Sequence, residues 1–374
     1  MTPPPVLRRL ARFGVIASVL LALAMTWLYH AAPRHLAAVE LTRYAPFLVY
    51  LVPGGLAFVL SWLLRPLWRV AATLALALML TAVMDFSTGL RSTPLPADTA
   101  AAGVRPVRFM TYNIKSYRAA FRWGGFVSLN NEIESQHPDI LVMQDARDIA
   151  RIGDLPYGMR DVLPTHRLYA YGQYAIASRF PLSDCRRGDI SHSGEKHEYI
   201  RCTVDIDGTL IDVVTAHLRT PREGLNATRF EPTDGLDEWR DNVATRQSQA
   251  DALVRDLVPL RRATLLAGDL NAPEHSPVVQ TLLAIGLRDA FSAAGVGWGY
   301  THGHSLKPWV SFLRIDHILV SPEIGVTSAH VGWRGGSEHR PVIADLLIPV
   351  RSTSASSTGR PVDKAVEKPV DKSR

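Results

Sequence analysis

The chain has 374 residues, 47% of them apolar, and a formal net charge of +6, which leaves room for two or three structural units. Residues 1–103 carry eight basic and three acidic side chains, residues 351–374 carry six and three, and residues 104–350 carry 27 and 29. The excess positive charge therefore lies at the two ends, and it is no argument that the central part binds nucleic acid.

Three apolar stretches near the N-terminus predict a membrane anchor over residues 1–86. Residues 13–32 and 45–64 contain no Asp, Glu, Lys or Arg, and a third stretch covers about 67–86. Each has roughly the 20 residues that cross the hydrocarbon core of a bilayer. The first stretch alone could be a signal sequence, but three in succession favour three transmembrane helices.

The arginines of the short loops predict how this anchor is oriented. Five lie before the first stretch or between the second and third, whereas two lie between the first and second. The N-terminus is therefore predicted to be cytoplasmic. Three crossings of a bacterial inner membrane then place everything after residue 86 in the periplasm or outside the cell.

Two segments flank the central domain and lack its alternating pattern. Residues 87–103 are small, polar and proline-containing, which predicts a linker. Residues 351–374 have no periodic apolar face, which predicts a disordered tail.

Cys185 and Cys202 are the only cysteines of the chain. The polar stretch between them could join two adjacent strands, and a disulfide there would suit an oxidising compartment. Two unrelated buried thiols are the other interpretation.

Residues 104–350 alternate between strand-like and helix-like patterns, which predicts one α+β domain. Helical spacing occurs at 126–137 and 241–258. Strand-like runs occur at 105–113, 139–143, 174–180, 199–206, 210–216, 264–267, 312–320 and 342–350.

Polar side chains follow these apolar strands repeatedly, which suggests that they collect along one rim of a pair of sheets. They are Asn113, Asp145, His217, Asp269, Asn271, Asp316, Glu338 and His339.

These residue types suit metal-assisted hydrolysis of a phosphate ester. Asp145 and Glu338, with Asn113, offer the oxygen ligands that Mg²⁺ or Mn²⁺ prefers. Two histidines could donate protons to a phosphoryl oxygen or a leaving group, and Asp269 could align or deprotonate a water molecule.

The same residues lie in six short motifs: TYNI at 111–114, QD at 144–145, TAHL at 215–218, GDLN at 268–271, RIDHI at 314–318 and SEHRPV at 337–342. In this order the motifs resemble those of the endonuclease/exonuclease/phosphatase (DNase I-like) superfamily, and the resemblance covers about residues 105–349. With membrane-spanning stretches before such a domain, the chain is similar to the bacterial membrane-anchored members.

The resemblance implies a four-layered α/β/β/α sandwich with its site at one end. By position, His217 occupies the strand end that carries a histidine in DNase-like members, and Asp269 orients or activates the attacking water. Asn271 is expected to bind the phosphate. Asp316 is expected to pair with His339, which contacts the scissile phosphate.

The expected metal ligands, Asn113, Asp145 and Glu338, depart from the family pattern at two positions. Asp145 replaces a glutamate, and Glu338 replaces the more usual aspartate. One side chain is thus shorter by a methylene and the other longer by one, so a shifted cation could keep both contacts. We expect activity to be retained.

Several other polar residues have simpler interpretations. His302 is predicted in an exposed loop, and His317 in the core because it points away from Asp316 on a regular strand. Arg201 and Arg246 are predicted to form salt bridges. Residues 219–240 are interpreted as a polar, irregular insertion that either contacts substrate or is merely solvated.

The sequence therefore predicts a membrane-anchored, divalent-metal-dependent phosphoester hydrolase that acts outside the cytoplasm. Nucleic acid and a lipid phosphodiester, as in sphingomyelinases, both remain open as substrates. A catalytically inactive binding domain is the alternative of a different class, although the retained polar residues argue against it.

Overall fold

A computed structural model describes residues 4–31, 36–46, 48–90, 103–192, 194–231, 234–303 and 310–350. The predicted tail at 351–374 and most of the predicted linker at 87–103 lie outside these ranges.

The N-terminal region is helical. It contains α1 (Pro5–His30), α2 (Ala37–Thr42), α3 (Leu48–Ser61) and α4 (Pro66–Leu78), which continues as a π-helical turn, Met79–Val83. Among the described residues, α1 and the Pro66–Val83 helix are long and apolar enough to cross a membrane.

The predicted span at 45–64 is shorter in the structure. Helix α3 has 14 residues, which rise about 21 Å, whereas the hydrocarbon core of a bilayer is roughly 30 Å thick. Two of the three predicted spans thus have spanning length, and the third stays a prediction.

Helix α1 packs through a narrow face of mostly small residues. Ala11, Val15, Ser18, Ala22 and Met25 are buried and follow one another at alternating steps of four and three, the spacing of a helix-packing seam. Small residues on such a seam allow helix backbones to approach closely.

The other faces of these helices leave large apolar side chains uncovered. Phe13 and Leu20 on α1, Val59 on α3 and Leu74 on α4 are each more than 60% exposed. Surfaces of this kind mark a protein or membrane interface rather than one that faces water.

The C-terminal part is built mainly from strands. They are β1 (Ser87–Thr88), β2 (Gly103–Asn113), β3 (Ile140–Gln144), β4 (Arg167–Tyr171), β5 (Tyr174–Ser178), β6 (Leu182–Asp189), β7 (Glu198–Ile206), β8 (Thr209–His217), β9 (Thr264–Asp269), β10 (Arg288–Asp289), β11 (Val296–Gly297), β12 (Asp316–Val320), β13 (Gly325–Val331) and β14 (Val342–Val350).

Helices connect and cover these strands. They are α5 (Ser116–Ala119), α6 (Gly125–Gln136), α7 (Arg147–Ile152), α8 (Met159–Val162), α9 (Arg222–Phe230), α10 (Gly235–Leu257), α11 (Pro277–Leu283) and α12 (Ala290–Ala294).

Two six-stranded sheets organise the domain, with the orders β13-β14-β2-β3-β5-β4 and β10-β12-β9-β8-β7-β6. The pairs β2/β3 and β8/β9 are parallel, and the other pairs of these sheets are antiparallel. The strands β4 and β13, which the sequence does not predict, are the two edges of the first sheet. Edge strands are half-exposed, so their apolar pattern is weaker.

Three apolar clusters separate the layers of the domain. Phe109, Val213 and Ile318 belong to the cluster between the sheets. A second cluster packs α6 and α7 on the first sheet, and a third packs α10 and α11 on the second. The layers therefore run helix, sheet, sheet, helix, and the predicted α+β sandwich is confirmed.

The insertion predicted at 219–240 is helical rather than irregular. Helices α9 and the start of α10 pack together at Gly224, where a Cβ atom would lie 3.0 Å from the Trp239 ring. Trp239 is fully buried. This contact between α9 and α10 stabilises a segment whose many polar residues had suggested an irregular insertion.

Cys185 and Cys202 form a disulfide between β6 and β7, with 4.0 Å between their Cα atoms. Of the two interpretations that the sequence left open, a disulfide and two unrelated buried thiols, the structure contains the disulfide. The crosslink is attached to the central core through Cys202, which is buried.

Reduction of this disulfide is expected to lower the free energy of unfolding by about 3 kcal/mol, because it releases a loop of 17 residues in the unfolded chain. Thermal unfolding of the full chain, with and without a thiol reductant, measures the effect. A Cys185→Ser, Cys202→Ser double variant should be insensitive to reductant. Equal midpoints for the reduced and oxidised wild-type chain would contradict the prediction.

Candidate active site

The predicted site residues gather at one end of the sandwich, where two parallel strand pairs terminate. Asn113 ends β2 beside Gln144 of β3. His217 ends β8 directly opposite Asp269 of β9, and Asp316 pairs with Asp269 from the other side. The carboxyl ends of neighbouring parallel strands meet at one edge, which places these side chains together.

Gly268 makes this arrangement possible. Its φ is +150°, and a Cβ atom there would lie 2.0 Å from the carbonyl oxygen of Ala216. Any side chain would therefore separate β9 from β8 immediately before Asp269. The glycine of the GDLN motif is therefore required for the close packing of β9 against β8.

Asp269 is the centre of the site and is buried. Its Oδ2 accepts a hydrogen bond from Asn113 Nδ2 at 2.9 Å, and its Oδ1 accepts one from the backbone N–H of Asn271 at 3.0 Å. His217 Nε2 lies 3.4 Å and His339 Nε2 lies 3.7 Å from Oδ2. Burial, with the charge of Asp316, raises the pKa of Asp269, which makes it a better proton acceptor.

Asp316 and His339 form the predicted pair. The distance from His339 Nδ1 to Asp316 Oδ2 is 2.9 Å, and the Thr301 hydroxyl accepts from the Asp316 N–H at 3.3 Å. Burial raises the pKa of Asp316 to about 7 and lowers that of His339 to about 3. Both shifts disfavour charged forms, so burial favours a neutral pair.

His217 is oriented by a residue that the sequence does not indicate. Its Nδ1 lies 2.9 Å from Gln173 Oε1. An amide oxygen can only accept, so Nδ1 carries the proton and Nε2 faces Asp269. Gln173 lies in the turn between β4 and β5, and only the pairing of these strands places it beside β8.

Asn271 has a left-handed backbone, with φ +50°, a conformation that asparagine adopts more readily than most residues. Its Nδ2 donates to the Leu218 carbonyl oxygen at 2.9 Å. An amide nitrogen carries two hydrogens, so one is left for the phosphate contact that the sequence predicts.

The three predicted metal ligands have different surroundings. Asn113 and Asp145 lie at neighbouring strand ends, and Lys115 Nζ is 3.4 Å from Asp145 Oδ2. Burial alone would raise the pKa of Asp145, but His217 and Lys115 together lower it. The carboxylate therefore stays ionised, as a metal ligand must.

Glu338 is already engaged by two arginines. Its Oε1 lies 3.1 Å from an Arg118 nitrogen and 3.3 Å from an Arg122 nitrogen. A cation bound by Glu338 would have to share this oxygen or use the other one. Of the three predicted ligands, Glu338 fits a metal least readily.

A second group of potential ligands is more compact. Asp269, Asp316 and His339 bring one ligand atom each to within 4.8 Å of one another. Asp316 Oδ1 is buried and has no hydrogen-bond partner among the described residues. Carboxylate oxygens with an imidazole suit a divalent cation, and the same three groups also suit proton transfer.

The structure corrects two predictions for single residues. His302 is buried rather than exposed, and its ring stacks on that of His339 with centroids 4.1 Å apart. Arg246 donates to the neutral oxygens of Asn242 and Asn271, and it forms no salt bridge with any residue that the structure describes. The contacts of His302 with His339 and of Arg246 with Asn271 join residues that are distant in sequence, so no local pattern could show them.

Two other predictions are confirmed. His317 is a core residue that bridges Asp289, at 2.7 Å, and the Ala272 carbonyl oxygen, at 2.9 Å. Arg201 pairs with Asp212 at 3.5 Å.

Sequence reasoning missed Lys115, Arg118 and Arg122. All three follow TYNI closely, and their clustered positive charge was the available signal.

Several solved structures are similar to this chain at low sequence identity. An endonuclease/exonuclease/phosphatase family protein from Bacteroides thetaiotaomicron is 17% identical and aligns over 66% of this chain and 99% of that chain, with a TM-score of 0.49. A mannosyl-6-phosphatase from the same species is 16% identical over 64% and 99%, with a TM-score of 0.47. The human Nocturnin catalytic domain is 18% identical over 68% and 99%, with a TM-score of 0.47.

The curated proteins contain no match to this chain. The model of the Endonuclease/Exonuclease/phosphatase family does match, and it covers residues 110–339. This range extends from just before Asn113 to His339 and so includes all the predicted site residues. The protein is therefore a member of the endonuclease/exonuclease/phosphatase family, whose members are hydrolases that act on phosphate esters.

Proposed function

We propose that this protein is a membrane-anchored, divalent-metal-dependent hydrolase of phosphate esters that acts outside the cytoplasm. The observation that carries the proposal is the buried contact of Asp269 with Asn113, His217 and His339. A buried carboxylate costs free energy unless partners satisfy it, and here the partners are groups that can transfer protons or bind phosphate.

In the proposed mechanism, Asp269 holds the attacking water and receives its proton. His339, oriented by Asp316, donates to a phosphoryl oxygen or the leaving group. His217, whose Nδ1–H is bound by Gln173, faces the phosphate with Nε2, which donates only when that nitrogen also carries a proton. Asn271 binds the phosphate through its free amide hydrogen.

Asn113, Asp145 and Glu338 are the proposed ligands for Mg²⁺ or Mn²⁺. Such an ion, when bound, would neutralise charge on the phosphate. The ionised Asp145 supports this assignment, whereas the arginines at Glu338 make its share the weakest.

Replacement of Asp269 with Asn is expected to lower kcat/KM by about 10²- to 10⁴-fold, because the proton acceptor is lost. EDTA should abolish activity, and Mg²⁺ or Mn²⁺ should restore it. The assay uses the purified full chain in detergent with bis-p-nitrophenyl phosphate.

The matched control is Asp212→Asn. Asp212 is also buried, but it lies at the opposite end of β8 from His217 and pairs with Arg201. This variant should retain activity. Activity that survives both chelation and Asp269→Asn would overturn the mechanism, and a wild-type chain that is inactive on nucleic acid, lipid and simple esters would favour an inactive binding domain.

Membrane anchoring is supported by the uncovered apolar faces of α1, α3 and α4. The disulfide supports an oxidising compartment, such as the periplasm or cell exterior. Five arginines on the predicted cytoplasmic side against two on the other support the same orientation.

A contact within the chain also bears on the number of spans. The Tyr44 hydroxyl, between α2 and α3, donates to the Asn271 carbonyl oxygen of the catalytic domain. Both groups must lie on one side of the membrane, so the chain crosses it an even number of times between them. Crossing by both α3 and α4 meets this condition, and crossing by α4 alone does not.

Fusions to β-lactamase are expected to confer ampicillin resistance when joined after residue 44 or residue 350, because both points would be periplasmic. A fusion after residue 65, between α3 and α4, should confer none. Expression of all three is checked by immunoblot. Resistance from the fusion at 65, or its absence from the fusion at 350, would contradict the three-span topology.

The rim of the site favours a lipid phosphodiester over nucleic acid. Phe121, Trp123 and Trp333 are 91%, 103% and 81% exposed, and the first two flank Arg122, which contacts Glu338. Exposed aromatic rings suit the headgroup region of a bilayer, which the anchor keeps close. They also suit stacking on unpaired bases, so nucleic acid remains the second candidate.

Joint replacement of Phe121, Trp123 and Trp333 with Ala is expected to slow hydrolysis of a vesicle-borne phosphodiester at least several-fold. Hydrolysis of soluble bis-p-nitrophenyl phosphate should be unchanged, because the rings do not touch the buried groups. Leu210→Ala, at the opposite end of β8, is the control for an exposed apolar residue. A loss confined to single-stranded DNA or RNA would instead assign the rim to nucleic acid.

A further inference from the structure

We infer that the loop between the first two long helices of the anchor, residues 36–46, is a positioning element of the active site. It acts through Tyr44, which together with Arg246 holds the backbone carbonyl of Asn271. The inference rests on the proposed hydrolase function, and it extends that function by making catalysis depend on the anchor.

The central contact joins residues that are distant in sequence. The Tyr44 hydroxyl donates to the Asn271 carbonyl oxygen at 2.8 Å. Arg246 donates to the same oxygen at 2.9 Å and also to the Tyr44 hydroxyl. One carbonyl thus receives two hydrogen bonds, one of them from a cation, and charge-assisted bonds of this kind are stronger than neutral ones.

Arg246 is suited to this role because it has no access to water. It is fully buried, and its guanidinium carbon lies 5.3 Å from the centre of the Tyr44 ring and 5.4 Å from that of Trp239. The two rings meet edge to face at 5.4 Å. Aromatic faces stabilise a buried cation, so the anchor supplies one wall of the Arg246 pocket.

The rest of the loop is fixed to the domain by independent contacts. Ser276 donates to the buried Glu40 at 2.6 Å, and Trp239 Nε1 donates to the Ala37 carbonyl oxygen at 2.7 Å. Tyr44 also shares an apolar cluster with Phe312 and other domain residues. These contacts indicate a docked element rather than a chance approach of a single side chain.

The backbone conformation of Asn271 depends on these contacts. A left-handed conformation is maintained at a residue other than glycine only where neighbouring groups hold it in place. The N–H is held by Asp269, the side chain by Leu218, and the carbonyl by Tyr44 and Arg246. Release of the carbonyl would let the peptide rotate and move the amide that is proposed to bind phosphate.

The structural test is hydrogen–deuterium exchange of the full chain in lipid nanodiscs. Tyr44→Phe removes the hydroxyl and keeps the ring, and it is expected to increase exchange in peptides that cover residues 265–276. Thr26→Val is the matched control, because the Thr26 hydroxyl donates to the Ala22 carbonyl oxygen and this bond lies within α1. Ser276→Ala, which weakens loop docking through Glu40, should show the same change to a lesser degree.

The kinetic test uses the same variants with bis-p-nitrophenyl phosphate and Mg²⁺. Loss of one buried hydrogen bond predicts that Tyr44→Phe lowers kcat by about 3- to 10-fold, while the Mg²⁺ concentration for half-maximal activity stays unchanged. Thr26→Val should match the wild-type chain.

Three outcomes overturn the inference. The first is exchange at 265–276 that is the same in Tyr44→Phe and Thr26→Val. The second is faster exchange with unchanged kcat in an active enzyme. The third is a wild-type chain that hydrolyses no ester tested, in which case the proposed function fails and the loop is a docking contact without a catalytic role.

Discussion

The hydrogen bond from Asn113 to Asp269, 2.9 Å long, joins the carboxyl ends of the two sheets. Asn113 belongs to the first sheet and Asp269 to the second. The apolar cluster between the sheets sets their separation. At the end where this cluster stops, the hydrogen bond between Asn113 and Asp269 connects the two sheets. Every other candidate catalytic group is placed relative to Asp269, from the opposing strand end at His217 to the Asp316–His339 pair.

Burial is what gives this end of the sandwich its chemistry. Two buried carboxylates, Asp269 and Asp316, lie close together, and burial raises the pKa of both. Asp269 has partners in the Asn113 amide and the two histidines, and Asp316 has one in His339, so part of the cost of burying these carboxylates is offset. An arrangement of this kind concentrates proton acceptors and donors in a small volume that water cannot easily screen.

The N-terminal helical region is part of this arrangement. Its loop at 36–46 contributes the Tyr44 ring and hydroxyl to a pocket around Arg246, and that pocket ends at the Asn271 carbonyl. In the proposed membrane topology, this contact requires residue 44 and the site to lie on the same side of the bilayer. The two carboxylates that depart from the family pattern each have a cationic partner. Asp145 lies beside Lys115, and Glu338 lies beside Arg118 and Arg122.

The sequence by itself determined the α+β class, most strands of the sandwich interior and the set of polar residues at their ends. It could do so because strands that are buried on both faces leave short continuous apolar runs in the sequence, and because Asn113, His217 and Asp269 interrupt those runs at the point where a strand stops. Edge strands β4 and β13 escaped prediction because they are only half-buried. Only the tertiary structure decided that His302 is buried against His339, that Cys185 bonds Cys202, and that Tyr44 contacts Asn271. These contacts depend on which distant segments pack together, and the energy of that packing leaves no trace in the local pattern of either segment.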